Sequence, residues 1–567
     1  MKISLIDHIL ENNRQKYSVS QLDGKFLKYT DDGWLVFGRG RRGGRVFGLM
    51  CLASPQRPQY NGGVIRNPEL NDGLKGWSTF GDAKIEHRKL GNNNFIVANS
   101  RVHSYDSVSQ NLYLQKNKIY TFSAWIQVSK GRFQYQLFSR LKQGTYMLVL
   151  FLPSPIAGPC LKVASLLMPQ ASPAQLYFES NNTLIDIWVD SISLQPFTKK
   201  QWMSHQDQAI EKTRKTKVRI QAVDSQGKPL SNANISIKLK KASFPFGCAI
   251  NKNILYNNAY QKWFTSRFTV TVFEDEMKWY STEPSQGKVD YSVPDAMLQF
   301  AKKNNVLVRG HNVFWDDPKY QQGWINSLSP TDLSKATTDR INSIMSRYRG
   351  QVIGWDVVNE NLHFNFFESK LGQNASAVFY NLAQKIDGTS TLFLNDYNTI
   401  EDGRDDDSTP ANSAAPNLAY MRASIDTLAA TNFPIWLTEV DVQSGPYQAQ
   451  YLEQILREGH SHPKVAGIVI WSAWKPQGCY RMCLTDNNFK NLPTGDVVDK
   501  LLARQIAVKS LAGRTDGNGF FEASLSHGIY SVKIHHPSAK KFSLFQKLNV
   551  VSSTGAANPT LLMRFAT

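Results

Sequence analysis

Two runs, Gly354-Trp355-Asp356-Val357-Val358-Asn359-Glu360 and Pro434-Ile435-Trp436-Leu437-Thr438-Glu439-Val440-Asp441-Val442, decide the fold. Each reads as a buried, β-rich segment that carries a carboxylate at its C-terminal end. A parallel αβ barrel presents its reactive groups at that end of its strands. Taken singly, either glutamate reads equally well as an ordinary strand-end acid held in a salt bridge. The pair, with Asn359 beside Glu360, points to chemistry instead. Two carboxylates so presented are the equipment for cleaving a glycosidic bond, one protonating the leaving oxygen and the other attacking the anomeric carbon.

Outward from these runs, strand and helix patterns alternate over 244–510. Strands are expected at 246–250, 268–273, 306–310, 352–358, 391–395, 434–440 and 465–471. Helices are expected at 295–304, 331–347, 375–386, 417–430 and 496–507. That gives a TIM-type (β/α)8 barrel with one βα unit too few. The stretch where the eighth strand belongs, Tyr397 to Pro416, is polar and acidic, with Asp405-Asp406-Asp407 and no apolar run.

The flanks are β-rich. Short runs such as Phe95–Ala98 and Tyr120–Val128 alternate with turn residues across 61–197, the texture of a jelly roll. Within it, 130–172 has clustered apolar residues and Pro153, Pro155 and Pro159, and supports no strand assignment. A second β unit spans 198–243, with Val218–Val223 and Ala233–Lys238 as its strands, and a similar texture returns at 511–567. These two pieces are expected to form one small sandwich split by the barrel, the alternative being two separate β modules. Residues 1–60 show no period and receive no function.

Composition narrows the function. The 567 residues carry a formal net charge of +19, but only Gly38 to Arg45 forms a dense basic run. A solvated loop is the simpler reading of that run than a nucleic-acid site, and a basic surface would also retain acidic polysaccharide. Aromatic residues are 11% of the chain, which suits stacking on sugar rings. The apolar run Tyr146–Leu152 is too short to span a membrane and meets Pro153. The N-terminus, Met1-Lys2-Ile3-Ser4-Leu5-Ile6-Asp7-His8, lacks the hydrophobic core of a signal peptide. Five cysteines give no disulfide framework; Cys479 and Cys483 are spaced for a local bridge or stand as two thiols.

Several further motifs carry a resemblance. Phe273-Glu274-Asp275-Glu276-Met277-Lys278-Trp279, Val308-Arg309-Gly310-His311, Trp355 through Glu360, Trp436 through Val442 and Trp471-Ser472-Ala473-Trp474 occur in the order of family 10 glycoside hydrolases. The region from about 200 to 510 resembles these endo-β-1,4-xylanases, and most closely their plant branch. The 61–197 region resembles the family 22 xylan-binding modules, through Asn67-Pro68-Glu69-Leu70, Gly76-Trp77, Arg101 and Ile187 through Leu194. The resemblance implies retaining hydrolysis, with Glu360 as acid/base and Glu439 as nucleophile. It implies that Asn359 donates to the sugar 2-hydroxyl and that Glu274, Asp275, Lys278, His311, Trp315, Trp471 and Trp474 contact substrate or shape the cleft.

Two departures stand out. The family carries Asn at the position of Asp275, where a carboxylate removes a donor and should weaken sugar binding. The histidine that the family's sixth strand brings to the nucleophile has no counterpart, because no His lies between His363 and His460. The expected protein is therefore a secreted, monomeric, cell-wall endo-β-1,4-xylanase acting on xylan or arabinoxylan. It is expected to need no cofactor or catalytic metal, with a structural Ca²⁺ in the jelly roll as in some related modules, and to engage neither nucleic acid nor membrane. The alternative is a catalytically impaired xylan-binding protein.

Overall fold

The computed structural model describes the chain except residues 1, 7–56, 130–136, 141–163, 169–171, 398, 401–415, 430, 432, 507–509, 538–543, 553–560 and 567. The dense basic run, the apolar run Tyr146–Leu152 and the acidic triplet at 405–407 fall outside the described residues. The strands of the largest sheet are β1 (Lys2–Ile6), β2 (Phe246–Cys248), β3 (Val270–Thr271), β4 (Leu307–Val308), β5 (Gly310–Trp315), β6 (Gly354–Asn359), β7 (Thr391–Tyr397), β8 (Ile435–Val440) and β9 (Val465–Ile470). Their order is β4-β3-β2-β9-β8-β1-β7-β6-β5. The first and last members, β4 and β5, are one run of chain interrupted only at Arg309.

Most of the parallel strands are buried on both faces. Every residue of β6 is buried, and β9 (Val-Ala-Gly-Ile-Val-Ile) is nearly so. Such strands pair in parallel and need helices outside them. The helices supply this with amphipathic faces. They include α1 (Lys199–Arg214), α2 (Ser292–Lys303), α3 (Pro330–Tyr348), α4 (Ala375–Ile386), α5 (Leu418–Ala429), α6 (Gln448–Ser461) and α7 (Pro493–Leu501). Helix α3 starts where Ser329 accepts the N–H of Asp332 and Pro330 takes the first helical position. A small cluster built around strand residues, with Val270, Phe393, Trp436 and Val469, is distinct from the main core under the helices. Gly310 is required where the strands meet: a Cβ there would lie 2.2 Å from the Trp355 ring.

Between β7 and β8 the sheet departs from expectation. Among the described residues from 399 to 434 there is helix α5 but no strand. The place is taken by β1, which runs antiparallel to both neighbours. Ser4 stands opposite Asn395 on one side and Trp436 on the other. Lys2–Ile6 thus contribute to the central sheet, which the sequence did not announce: five residues are too few to display a period.

On the N-terminal side, two antiparallel sheets face each other. One has the order Lys84–Leu90, Asn93–Asn99, Ile187–Phe197, Lys118–Val128, Ala164–Met168; the other Ser78–Phe80, Ser107–Leu114, Ser172–Ser180, Leu137–Arg140. Ile96, Phe122, Leu176 and Val189 pack between them. Strands at Leu137–Arg140 and Ala164–Met168 lie in the stretch that supported no strand from sequence. Further along, Lys215–Val223 pairs with Phe520–Ser526 and Leu561–Ala566, and Asn234–Ala242 pairs with Ser510–Arg514 and Gly528–His535. Two chain segments on either side of the barrel region therefore share one core, with Ile220, Ile235, Val532 and Leu548 at its centre.

Helix α1 ties these parts together. Thr198 and Gln201 form a reciprocal cap at its start. Its buried face sends the Trp202 indole N–H (2.8 Å) and the Gln206 amide (2.7 Å) to Oε2 of Glu458 on α6, while Arg422 of α5 pairs with Oε1. Glu458 is fully buried, so it is held only because three donors surround it. Glu458→Ala would take from the partly buried Arg422 guanidinium the carboxylate it pairs with and leave the Trp202 and Gln206 donors without their acceptor. The expected loss is about 3–5 kcal/mol in denaturant unfolding; a change under about 1 kcal/mol would show that the network contributes little.

Candidate active site

Glu360 follows directly on β6 and Glu439 is the fifth residue of β8, so both carboxylates leave the sheet at the C-terminal ends of parallel strands. Both residues have left-handed backbone, with φ of 62° at Glu360 and 51° at Glu439. Non-glycine residues adopt this only where surrounding contacts force it, and such positions cluster at functional sites. At Glu360 the contacts are explicit. Its N–H donates to the Asn395 carbonyl at 2.9 Å, and its own carbonyl accepts from His363 and Phe364. Asp396, wholly buried, then clamps the following turn through the Leu362 N–H at 2.7 Å and His363 Nδ1 at 2.6 Å.

The side chains of the two glutamates are separately aimed. Glu360 Oε2 accepts the Trp315 indole N–H at 2.8 Å. Glu439 Oε1 accepts the Asn395 amide at 3.0 Å and lies 3.9 Å from His311 Nε2. Asn395 also donates to Asn359 Oδ1 at 2.7 Å and accepts the Thr438 hydroxyl at 2.6 Å. One amide therefore joins the Asn359–Glu360 end of β6 to the Thr438–Glu439 end of β8. The Asn359 Nδ2 group is buried and makes no hydrogen bond within the protein. A buried donor without a partner is costly unless something brought to the site accepts from it.

Where the family resemblance implies a histidine, Glu439 receives the Asn395 amide, and His311 Nε2 stands 3.9 Å away. His311 itself is oriented by Asp356, whose Oδ2 accepts from Nδ1 at 2.8 Å. Asp356 is buried, which opposes its charge. The Arg309 guanidinium and the His311 ring outweigh that and hold its carboxyl below the usual range. Arg309 and Asp356 form a buried ion pair beneath the two carboxylates.

The remaining predicted residues, with one exception, connect to this centre through Lys278, Trp315 and Trp471 or line the cavity beside it. Lys278 is buried and its Nζ lies 4.4 Å from the centre of the Trp315 ring and 5.6 Å from that of Trp471. Asp275 is half exposed, and its Oδ1 accepts from Lys278 Nζ at 3.1 Å and from the Tyr280 hydroxyl at 2.8 Å. Burial pushes the Asp275 carboxyl up, but Lys278 and Tyr280 bring it below its ordinary value. The carboxylate thus has an internal partner in Lys278 as well as facing the cleft. Glu274 is buried and paired with Lys475 at 2.7 Å. A cavity of about 410 Å³ opens beside Glu274 and Asp275, lined also by Asn251, Glu276, Asp290 and Lys475. His311 packs edge-on against Trp471, and Tyr320 stacks on Trp315 with ring centres 3.9 Å apart. The exception is Trp474, which was expected to contact substrate. It is turned into the core, with its indole N–H given to Asn487 and its ring against Phe489 and Tyr260.

Sequence reasoning missed Asn395, Asp356, Asp396, Tyr280 and Tyr320. Asn395-Asp396 lies at the C-terminal end of an expected strand, a position that reads as catalytic in a barrel, and that signal was available. Cys479 and Cys483 are bridged in the segment after β9, where the Arg481 carbonyl accepts from Ser444 and Gln448. Among the described residues, Asp82, His103 and Asp106 bring three ligand-type atoms within 4.8 Å of one another. Asp106 already accepts the N–H groups of Asp82, Val102 and His103, so its carboxylate anchors the turn that carries them.

Asp316, next to Trp315, gives a pH-dependent test. Burial pushes its carboxyl up to about 7, despite the Phe367 N–H that it accepts. A raised carboxyl pKa means that the folded state holds a proton the unfolded chain has lost. The stability this confers is complete below about pH 4 and is lost as pH rises through about 7. Asp316→Asn should therefore match the parent protein near pH 4 and exceed it at pH 8, by on the order of a few kcal/mol in denaturant unfolding. An advantage independent of pH would contradict the assignment.

Residues 236–411 match the family model described as Glycosyl hydrolase family 10. From Arabidopsis thaliana, an endo-1,4-beta-xylanase 5-like protein is 38% identical over 88% of this chain and 90% of its own length. Endo-1,4-beta-xylanase 5 is 39% identical over 80% and 85%, and endo-1,4-beta-xylanase 4 is 40% identical over 68% and 75%. Relatives of this identity, aligned over most of both chains, make this chain a plant-type member of glycosyl hydrolase family 10.

Proposed function

We propose that this chain is an endo-β-1,4-xylanase that cleaves internal bonds of cell-wall xylan or arabinoxylan with retention of configuration. The observation that carries the reading is the Asn395 amide, which ties Glu439 on β8 to Asn359 and Glu360 at the end of β6. In this reading Glu439 attacks the anomeric carbon and forms a glycosyl ester. Glu360 gives its proton to the departing sugar oxygen, then takes one from the water that hydrolyses the ester. The unpartnered Asn359 amide donates to the hydroxyl at C2 of the reacting sugar, where a hydrogen bond strengthens as the transition state forms. Lys278, Trp315 and Trp471 hold the sugars beyond it. The 61–197 region acts as a family 22 jelly-roll module that keeps the enzyme on xylan. The protein works outside the cell as a monomer, without a metal in its reaction.

A second reading is favoured by one observation. The strand beside β8 is the antiparallel β1 rather than a parallel strand carrying histidine. In that reading the chain binds xylan and cuts it poorly or not at all.

The two readings separate in a single set of assays. The enzyme reading expects reducing ends to be released from xylan. It expects Glu360→Ala to lower kcat by about 10²–10⁴-fold, and Glu439→Ala to abolish turnover. Asn395→Ala should lower kcat by on the order of 10²-fold through misorientation of Glu439. Undiminished activity in either glutamate variant would sink the assignment. Retardation of the parent protein in xylan gels without any hydrolysis would favour the binding reading.

A further inference from the structure

We propose that β1 (Lys2–Ile6) is a working part of the active site: a strand from the far N-terminus that fills the gap between β7 and β8 and sets the spacing across which Asn395 reaches Glu439.

The gap is defined by backbone. Strand β7 pairs with β6 on one side and β8 with β9 on the other. Their remaining edges would face each other unpaired at a depth where Asn395 is fully buried, Thr438 is 3% exposed and Trp436 is 5% exposed. Unpaired backbone N–H and C=O groups are not tolerated at such depth. Among the described residues between β7 and β8, no strand is available to cover them. The pairing of β1 covers both edges at once: Lys2 to Ile6 stand opposite Tyr397 to Phe393, and Lys2 to Leu5 stand opposite Thr438 to Ile435.

The consequence for the site is geometric. With one strand between them, β7 and β8 stand two strand spacings apart, about 9.6 Å. The Asn395 bonds to Thr438 (2.6 Å) and Glu439 (3.0 Å) therefore pass over β1, at the register of Lys2 to Ser4. If β1 left, β7 and β8 would either close directly on each other or part, and both movements break that bridge. The strand acts through Asn395 and Glu439 and touches no reacting atom in this account, so its role is positioning.

Hydrogen exchange on the intact protein tests the insertion whatever the enzyme's substrate. Amides of residues 2–6 should exchange at least about a hundredfold more slowly than in a free peptide of the same sequence, alongside those of β7 and β8. Exchange at the free-peptide rate, with β7 and β8 still protected, would overturn the proposal. The catalytic consequence rests on the xylanase reading and has its own arm. Ser4→Pro, which removes a backbone N–H from β1, should lower kcat on xylan about tenfold or more with KM within about twofold. Ile3→Pro, read the same way, serves where Ser4→Pro does not fold. An unchanged kcat in the folded variant would overturn the positioning role. A parent protein that hydrolyses no xylan would reject the xylanase reading and leave the exchange result standing.

Discussion

The hydrogen bonds of a single amide, Asn395, hold the candidate site together. Its Nδ2 group serves both Asn359 and Glu439, and its Oδ1 accepts from Thr438. A carboxylate that must attack one carbon atom needs a fixed direction, and a buried amide with three satisfied contacts supplies it. The Asn395 carbonyl also receives the N–H of Glu360, so the same residue fixes the backbone that carries the second carboxylate. Close to it, Arg309 and Asp356 form an ion pair that burial alone would forbid and mutual pairing permits, and Asp356 also holds the His311 ring.

That arrangement depends on the sheet being continuous under it. The staves β6 to β9 are largely buried on both faces, as in a parallel sheet, while the stave between β7 and β8 comes from the N-terminal segment and runs in the opposite direction. Family membership rests on relatives aligned over most of the chain. The specific behaviour of this chain rests on how the borrowed stave spaces Asn395 and Glu439.

Much of this was legible beforehand because the relevant signals are local. Trp355 through Glu360 and Ile435 through Glu439 announce buried strands ending in acid, and the helices are amphipathic over two or more turns. The pairing of Lys215–Val223 and Asn234–Ala242 with strands of the C-terminal segment was one of two readings that their shared short-strand texture allowed, two separate modules being the other. Other features depend on partners distant in sequence. Asn395 has no signature until Thr438 and Glu439 are brought to it. Lys2–Ile6 is too short to show a period and is selected by an open edge rather than by its own propensity. Asp275 read as a weakened sugar contact because its pairing with Lys278 and Tyr280 is invisible without the turn that joins them. Trp474 read as a cleft residue because its motif neighbour Trp471 is one; the chain between them turns it toward Phe489 and Tyr260.

The central claim is that Glu439 is a nucleophile held ready by Asn395. The most direct measurement is mass spectrometry of peptides after incubation with a 2-deoxy-2-fluoro-xylobioside bearing a good leaving group. Such a substrate forms the glycosyl ester faster than it is hydrolysed, because fluorine at C2 destabilises the oxocarbenium-like transition states and the good leaving group offsets this for the first step alone. One fluoroxylobiosyl group per chain, esterified to Glu439, is expected. A label on any other residue, or no label under conditions where the intact enzyme turns over xylan, would contradict it.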